Sequence, residues 1–234
     1  MSTDKLNLMA PGEYIIREGS ADPIVHPKNL KLAITLPGLV EFCEKKKEHF
    51  SWDKSTLIIY PNDKKTLLIC NEFEEYGQAQ VTGSLTHAKL LTRWKINTGY
   101  KWSLKQLKDF LRFNRMYFVD RDIAMSIIKN LSQFSAKVTT EIENGNDLKG
   151  NKRVVFDQQV RHEIDLSFSI SVPVFEGMQK IEIPVEVNFD VEDNSPVFWM
   201  ESIDLEEMEQ SIWDEEINKV ISSIQTQIAI LIAG

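Results

Sequence analysis

The chain of 234 residues is poor in cysteine and has no long apolar run. Its two cysteines, Cys43 and Cys70, are too few for a disulfide scaffold, which fits a reducing cytoplasm. No apolar stretch reaches the ~18 residues that a membrane-spanning helix needs. The first residues, MSTDKLNLMAPGEY, lack the apolar core of a secretory signal. We therefore expect a cytoplasmic protein that has no contact with a membrane.

Motifs for chemistry are also missing. The four histidines are scattered, and neither cysteine has a second ligand at the short spacing of a zinc site. The stretch Gly145–Lys152 lacks a lysine directly after its second glycine, so it is not a phosphate-binding loop. The sequence around Gly83-Ser84 lacks the spacing of a serine nucleophile elbow. We predict no catalytic residue, no metal and no cofactor, and hence no enzyme.

Apolar residues make up 42% of the sequence and charged residues 26%, which is ordinary for a globular protein. Frequent proline and glycine residues predict an irregular segment over 1–29. An α/β portion with a basic helical middle is predicted over 30–133, and an antiparallel sheet with a C-terminal helix over 134–234. These parts can also form one continuous domain.

The predicted fold class is α+β: a small N-terminal α/β portion, two central helices and a C-terminal antiparallel β-meander closed by a long helix. Alternating apolar residues predict short strands over Thr56–Tyr60, Thr66–Asn71 and Gln78–Thr86, and a strand through Ala136, Val138, Thr140 and Ile142 that ends in a hairpin turn at Glu143–Asn146. Further strands are predicted over Val154–Val160, Ile164–Val172, Ile181–Val191 and Val197–Ile203. Ser103 is a good N-cap for a helix that reaches Tyr117. A second helix is predicted over Ile123–Leu131 with Ile123 inward, and a last one from Asp204 to Ala233.

Two stretches of the chain are each poor in charges of one sign. The net charge is −8, yet residues 152–234 carry 17 acidic side chains against five basic ones. The stretch Ser84–Tyr117 has the opposite balance, with Asp109 as its only acid. Such asymmetry suggests partners of different charge for different faces, or subunits that meet head to tail. The alternative is two solvated faces with no partner.

The basic stretch also carries aromatic residues, as single-stranded nucleic acid binding requires. Cations contact phosphates, and exposed rings stack on bases. The alternative is that Trp94, Trp102 and Phe110 belong to the core and that the basic residues form the solvent-exposed face of an amphipathic helix. The candidate nucleic-acid site comprises Lys89, Arg93, Trp94, Lys95, Tyr100, Lys101, Trp102, Lys105, Lys108, Arg112 and Arg115.

Two further surfaces are candidates. The acidic residues Glu206, Glu207, Glu215 and Glu216 can imitate DNA phosphates on a host protein, dock on a basic helix of a second subunit, or simply solvate the surface. The spacing of Ile217, Ile221, Ile224, Ile228 and Leu231 forms a helical seam for an oligomer, unless that stripe docks on the chain's own sheet.

The segment Phe168–Gly177, which reads FSISVPVFEG, resembles an uncharacterised phage and prophage family, domain of unknown function 2303. The likeness continues through Leu131–Val138, Asp109-Phe110-Leu111 and Thr86-His87-Ala88, and includes Asn144-Gly145, Phe198-Trp199, Trp94 and Trp102. It covers about Ile34 to Val220, and Arg112 stands where the family usually has an acidic residue. The resemblance implies a phage or prophage origin near replication and recombination genes, in the cytoplasm of an infected or lysogenic bacterium. It implies no activity and no catalytic residue.

Together these features predict a self-associating phage accessory protein that binds single-stranded DNA, or a replication or recombination partner, through the basic-aromatic face. The first alternative is an inhibitor that binds a host defence protein through the acidic face. The second alternative is a structural protein that forms oligomers through the isoleucine seam.

Overall fold

A computed structural model describes residues 29–46, 48–72, 78–143, 166–192, 195–224 and 228–233, with the backbone alone for 134–143. The helices are α1 (Leu36–Lys46), α2 (Lys89–Trp94), α3 (Leu104–Phe113), α4 (Arg121–Glu143) and α5 (Leu205–Ser223). Short 3-10 turns cover Trp52–Lys54 and Arg115–Tyr117. The strands are β1 (Leu30–Thr35), β2 (Thr56–Tyr60), β3 (Lys65–Cys70), β4 (Ala79–Ser84), β5 (Trp102–Ser103), β6 (Ser167–Val172), β7 (Ile181–Glu192), β8 (Ser195–Glu201) and β9 (Ala229–Ile232).

The first sheet has the strand order β1-β4-β3-β2-β9. The hairpin β2–β3 and the pair β3–β4 are antiparallel, whereas the two outer strands run parallel to their neighbours. One face is buried, because alternate residues such as Leu57, Leu68 and Val81 point to the same side of the pleat.

Helix α1 covers that face through Leu36, Leu39 and Cys43, and helix α5 packs against α1. The approach of α1 to β4 is close at Gly83: a methyl group there would lie 2.9 Å from Leu39 Cδ2. Any larger residue at Gly83 therefore pushes α1 off the sheet. The C-terminal part of the chain thus returns to the N-terminal sheet, with α5 on its helical layer and β9 at its edge.

The second sheet has the order β5-β8-β7-β6 and is antiparallel throughout. Gly177, with a φ of +80°, makes the turn between β6 and β7 possible. Helices α3 and α4 pack against each other and against this sheet. Its inward residues, among them Ile170, Ile183 and Phe198, are buried.

The α+β class is confirmed, and so are the strands over β2, β3, β4 and β6 to β8. The strand predicted through Ala136 and Ile142 is wrong, because α4 continues as a helix to Glu143. The last helix ends at Ser223 rather than at Ala233, and a strand follows it. The predicted hairpin at 144–146, the strand Val154–Val160 and most of the irregular segment 1–29 lie outside the described residues.

Candidate functional site

Trp94 belongs to the core rather than to a binding surface. It ends α2 and is fully buried, with its ring edge-to-face on Phe110 at 5.0 Å between centroids and Phe118 at 5.8 Å. Its indole N–H finds no acceptor among the described residues. The prediction that Trp94 stacks on bases is therefore wrong, because the aromatic residues of α3 and the second sheet enclose it.

Trp102 and Tyr100 continue this aromatic row outward. Trp102 is half-buried in β5 and tilts over Phe110 at 4.8 Å between ring centroids. Tyr100 meets the ring of Trp102 edge-on at 4.8 Å and is exposed to solvent. Of the three aromatic residues named as candidates, Tyr100 alone is exposed, with 44% of its surface open to solvent.

The predicted basic face is divided into two groups. Lys89, Arg93 and Lys95 lie on α2 and the loop after it, where Lys95 shares a cavity of about 420 Å³ with Glu206 and Glu209. Lys101 pairs with Glu192 of the second sheet. Lys95 and Lys101 therefore lie beside the protein's own carboxylates, which weakens these two cations as phosphate ligands.

The second group lies along α3 and the 3-10 turn after it. Lys105, Lys108 and Arg112 lie along one side of the helix, since their spacing of three and four residues matches the helical period. Arg112 pairs with Asp109 at 3.3 Å, and its guanidinium also lies 5.0 Å from the ring centre of Phe113. Within the described ranges, no carboxylate forms an ion pair with Lys105, Lys108 or Arg115.

A sharp change of direction follows α3. The Asn114 side chain donates to the Phe110 carbonyl oxygen at 2.8 Å, which ends the helix, and the 3-10 turn Arg115–Tyr117 carries the chain around. Phe118 is buried and forms a bridge with Ile170 of β6. Asp120 then caps α4 by accepting a hydrogen bond from the Asp122 N–H at 2.9 Å. The segment between Phe113 and Asp120 is thus fixed at both ends.

This bend exposes large apolar side chains next to arginines. Phe113 is 74% exposed and Met116 62% exposed, and Val119, Ile123 and Met125 are exposed beyond them. Arg112, Arg115 and Arg121 are exposed in the same stretch. We call the corner surface the set Arg112, Phe113, Arg115, Met116, Val119, Arg121, Ile123 and Met125.

A groove adjoins the corner surface. Val119 and Ile123 line it together with Phe168 and Pro184 of the second sheet. The carboxylates of Asp120, Glu182 and Glu186 line it as well. The groove has a volume of about 400 Å³. Because one side of the groove belongs to the corner surface, a bound segment can insert a side chain beside Val119.

The sequence analysis missed most of this surface. It placed Ile123 inward, which is wrong, because Ala124, Ile127 and Leu131 form the buried stripe of α4 and Ile123 lies beside it. Met116 and Val119 fall in the break between two helices, where no period assigns them a side. Their one sequence signal is that they stand near three arginines in the break between two predicted helices.

The acidic candidates differ among themselves. Glu216 is buried and accepts a hydrogen bond from Lys219 at 2.7 Å, and Lys219 also pairs with Glu215 at 2.7 Å. The hydrogen bonds that Lys219 donates to Glu215 and, to a lesser degree, to Glu216 raise the pKa of Lys219. This lysine neutralises part of the predicted acidic face, so Glu206 and Glu207 remain as its exposed, unpaired members in the described part of the chain.

The isoleucine seam does not exist as one helical stripe. Ile217 and Ile224 are buried in the core, whereas Ile221 is exposed. Ile228 and Leu231 lie beyond the end of α5, and Leu231 belongs to β9 beside Ile58. The predicted seam is wrong, because the chain leaves the helix at Ser223.

A second polar site is built around His87. The ring of His87 stacks on Phe175 at 5.3 Å, and His87 Nε2 lies 2.8 Å from the Glu209 carboxylate. The described residues hold no group of three histidine, cysteine or acidic side chains that could bind a metal ion. None of the helices in the described ranges is both long enough and apolar enough to cross a membrane.

Comparisons with protein-family models, with curated proteins and with solved structures find no match to this chain. The resemblance to domain of unknown function 2303 therefore stays a prediction from the quoted residues. The candidate site has to be argued from its own geometry.

Proposed function

We propose that this protein is a non-catalytic phage accessory protein whose corner surface binds an acidic, apolar segment of a replication or recombination protein. One observation carries the proposal: Phe113 and Met116 are 74% and 62% exposed, and each directly follows an exposed arginine, Arg112 or Arg115. The phage assignment rests on the resemblance in Phe168–Gly177. The binding role rests on the surface itself.

The chemistry of the corner surface matches that of protein interfaces. Such interfaces are enriched in aromatic residues, methionine and arginine, and the acids that line most protein surfaces are depleted there. Covering an apolar side chain gains ~25 cal/mol for each Å² removed from water. Arg112 and Arg115 can each donate two hydrogen bonds to one carboxylate, which selects acidic partners.

Single-stranded DNA is the second candidate, and the contact between Arg112 and Phe113 favours it. An exposed ring beside a cation can stack on a base while the guanidinium contacts phosphate. However, Trp94 is buried and Trp102 is half-buried, so neither offers a free ring to a base. Methionine, valine and isoleucine side chains have no flat surface on which a base can stack. The corner surface therefore fits a peptide better than a strand of bases.

The test uses a fluorescent acidic peptide with leucine and phenylalanine side chains, titrated with the whole protein. We expect R112A/R115A to weaken binding by about tenfold or more, since hydrogen bonds to charged groups contribute about 1.5–3 kcal/mol each. The matched control is K89A/R93A, which removes two exposed cations from α2 and should leave the affinity unchanged. Equal losses in both variants, or none in R112A/R115A, would contradict the proposal.

The same titration with oligodeoxythymidylate separates the two candidates. Binding of a protein to DNA releases cations that were condensed on the phosphates. Added salt opposes this release, so the affinity for DNA falls steeply as the salt concentration rises. If R112A/R115A and Phe113→Ala abolish oligonucleotide binding but leave peptide binding intact, the ligand is single-stranded DNA. If they act on the peptide alone, the corner surface is a protein-binding site.

A further inference from the structure

The turn between β8 and α5 presents an exposed isoleucine on a fixed backbone. Ile203 is 82% exposed, more than any other large apolar side chain among the described residues. The preceding residue is held firmly: the Ser202 N–H donates to Asn97 Oδ1 at 2.8 Å, and Asn97 Nδ2 donates to the Ser202 carbonyl oxygen at 2.8 Å. This clamp keeps Ile203 on the surface.

Carboxylates surround this isoleucine. Asp204, Glu206 and Glu207 are exposed, and none of them forms an ion pair in the described ranges. The sequence has no lysine or arginine from Val185 to Asn218, and Lys95 is the cation that shares a cavity with Glu206 in the described part of the chain. We call Ile203, Asp204, Glu206 and Glu207 the acidic turn.

The position of these carboxylates at the start of α5 explains their charge but not the exposed isoleucine beside them. Glutamates in the first turn of α5 are stabilised by the helix dipole, which accounts for Glu206 and Glu207 without any partner. The dipole gives no reason for an isoleucine at the most exposed point of the same turn. An apolar side chain among carboxylates is the complement of an apolar patch among arginines.

We propose that the acidic turn of one copy of this protein binds the corner surface of a second copy. This inference rests on the proposed function, because it names the acidic segment that the corner surface binds. Ile203 would cover Phe113 and Met116, and the carboxylates of Glu206 and Glu207 would face Arg112 and Arg115. Opposite charges on the two faces favour this pairing over like-with-like contact.

The two surfaces belong to different parts of the molecule. The corner surface joins α3 to α4, and the acidic turn joins β8 to α5. A contact between unlike surfaces is heterologous, so each bound copy still offers one free corner surface and one free acidic turn. Growth then continues until a ring closes or a filament forms.

The expected association is weak and sensitive to salt. Stable interfaces bury about 1,600 Å² in total, whereas one exposed isoleucine and its neighbours cover a smaller area. Charges on the surface are screened over about 8 Å at physiological ionic strength. Assembly should therefore grow with protein concentration and shrink when salt is added.

Charge reversal provides the test, measured by sedimentation velocity on the whole protein. The corner variant R112E/R115E and the turn variant E206R/E207R should each remain monomeric where the wild type associates. An equimolar mixture should associate again, because the native acidic turn of one variant meets the native corner surface of the other, and the two reversed surfaces also carry opposite charges. The matched control K89E/R93E should associate like the wild type.

Several outcomes overturn the inference. A wild type that stays monomeric at low salt, single variants that still associate, or a mixture that stays monomeric would each contradict it. Circular dichroism of each variant checks the fold, and Ile203→Ser offers a milder change that should weaken association without altering charge. If the wild type stays monomeric but R112A/R115A still loses the acidic peptide, the proposed function holds and only the self-association fails.

Discussion

Cys43 and Cys70 both lie on the buried face of the first sheet and its helical layer, with no measurable exposure. Burial raises the pKa of Cys43 to about 11. Burial and, to a lesser degree, the charge of Cys43 raise the pKa of Cys70 to about 12. Since the thiolate is the nucleophile, neither side chain should react at ordinary pH.

We expect a disulfide reagent to label no thiol of the native protein at pH 8, and two thiols after unfolding in guanidinium. Between pH 8 and pH 9 the native protein should stay unlabelled, because burial shifts ionisation of both thiols to higher pH. Rapid labelling of one thiol in the native state would show that its side chain is accessible and ionised.

Trp94 shows where residue-level prediction from sequence reaches its limit. The basic neighbours Arg93 and Lys95 gave it the composition of a binding surface. Its burial is decided by Phe110, Phe118 and Phe168, which lie on later segments of the chain. No local pattern encodes contacts with such distant segments.

At the scale of single elements, the start of α3 is confirmed at its N-cap Ser103, whereas the helix ends at Phe113 rather than at Tyr117. Ser103 accepts a hydrogen bond from the Gln106 N–H at 3.4 Å, and the Gln106 side chain accepts one from the Ser103 N–H at 3.1 Å. This reciprocal pair satisfies two donors at the helix start. The signal is local, so the sequence alone is enough to find it.

We expect Ser103→Ala to lower the free energy of unfolding by about 1 kcal/mol, the usual contribution of an N-cap. Denaturant titration measures the change. Ser126→Ala is the control, since Ser126 is an exposed helical residue without a capping role and alanine favours helices. A loss of the same size in both variants would show that the cap contributes nothing.

Two other elements could not be predicted locally. Ala136 and Ile142 alternate with polar neighbours as strand residues do, yet α4 runs through them. At the other end, Ser222 and Ser223 return their side chains to the carbonyl oxygens of Asn218 and Val220, just where α5 stops. The isoleucine-rich segment that follows forms β9, which pairs with the open edge of β2. Since β2 lies far away in the sequence, no local pattern predicts this pairing.

At the scale of the whole molecule, the two sheets are joined by backbone contacts. The Ala88 N–H donates to the Val174 carbonyl oxygen at 2.9 Å, and the Glu176 N–H donates to Thr86 at 2.9 Å. The buried residues of both sheets also belong to one apolar cluster. These links couple the stability of one sheet to that of the other.

Hydrogen exchange in increasing denaturant tests this coupling. Amides of Leu68 and Val81 in the first sheet should converge with those of Ile183 and Phe198 in the second on one unfolding free energy. Only at low denaturant should local fluctuations give the amides of the two sheets different free energies of exchange. Two plateaus that persist up to the unfolding midpoint would instead show two units that open independently.

The place of β9 also has a consequence for how the protein is made. Its partner β2 emerges from the ribosome well before β9, because the two strands lie far apart in the sequence. Pairing between such distant segments forms slowly, because closing the long loop between them costs chain entropy before any contact compensates for that loss. Until then the apolar edge at Leu57 and Ile59 stays uncovered, so the nascent chain depends on α1 and the β2–β3 hairpin to avoid aggregation.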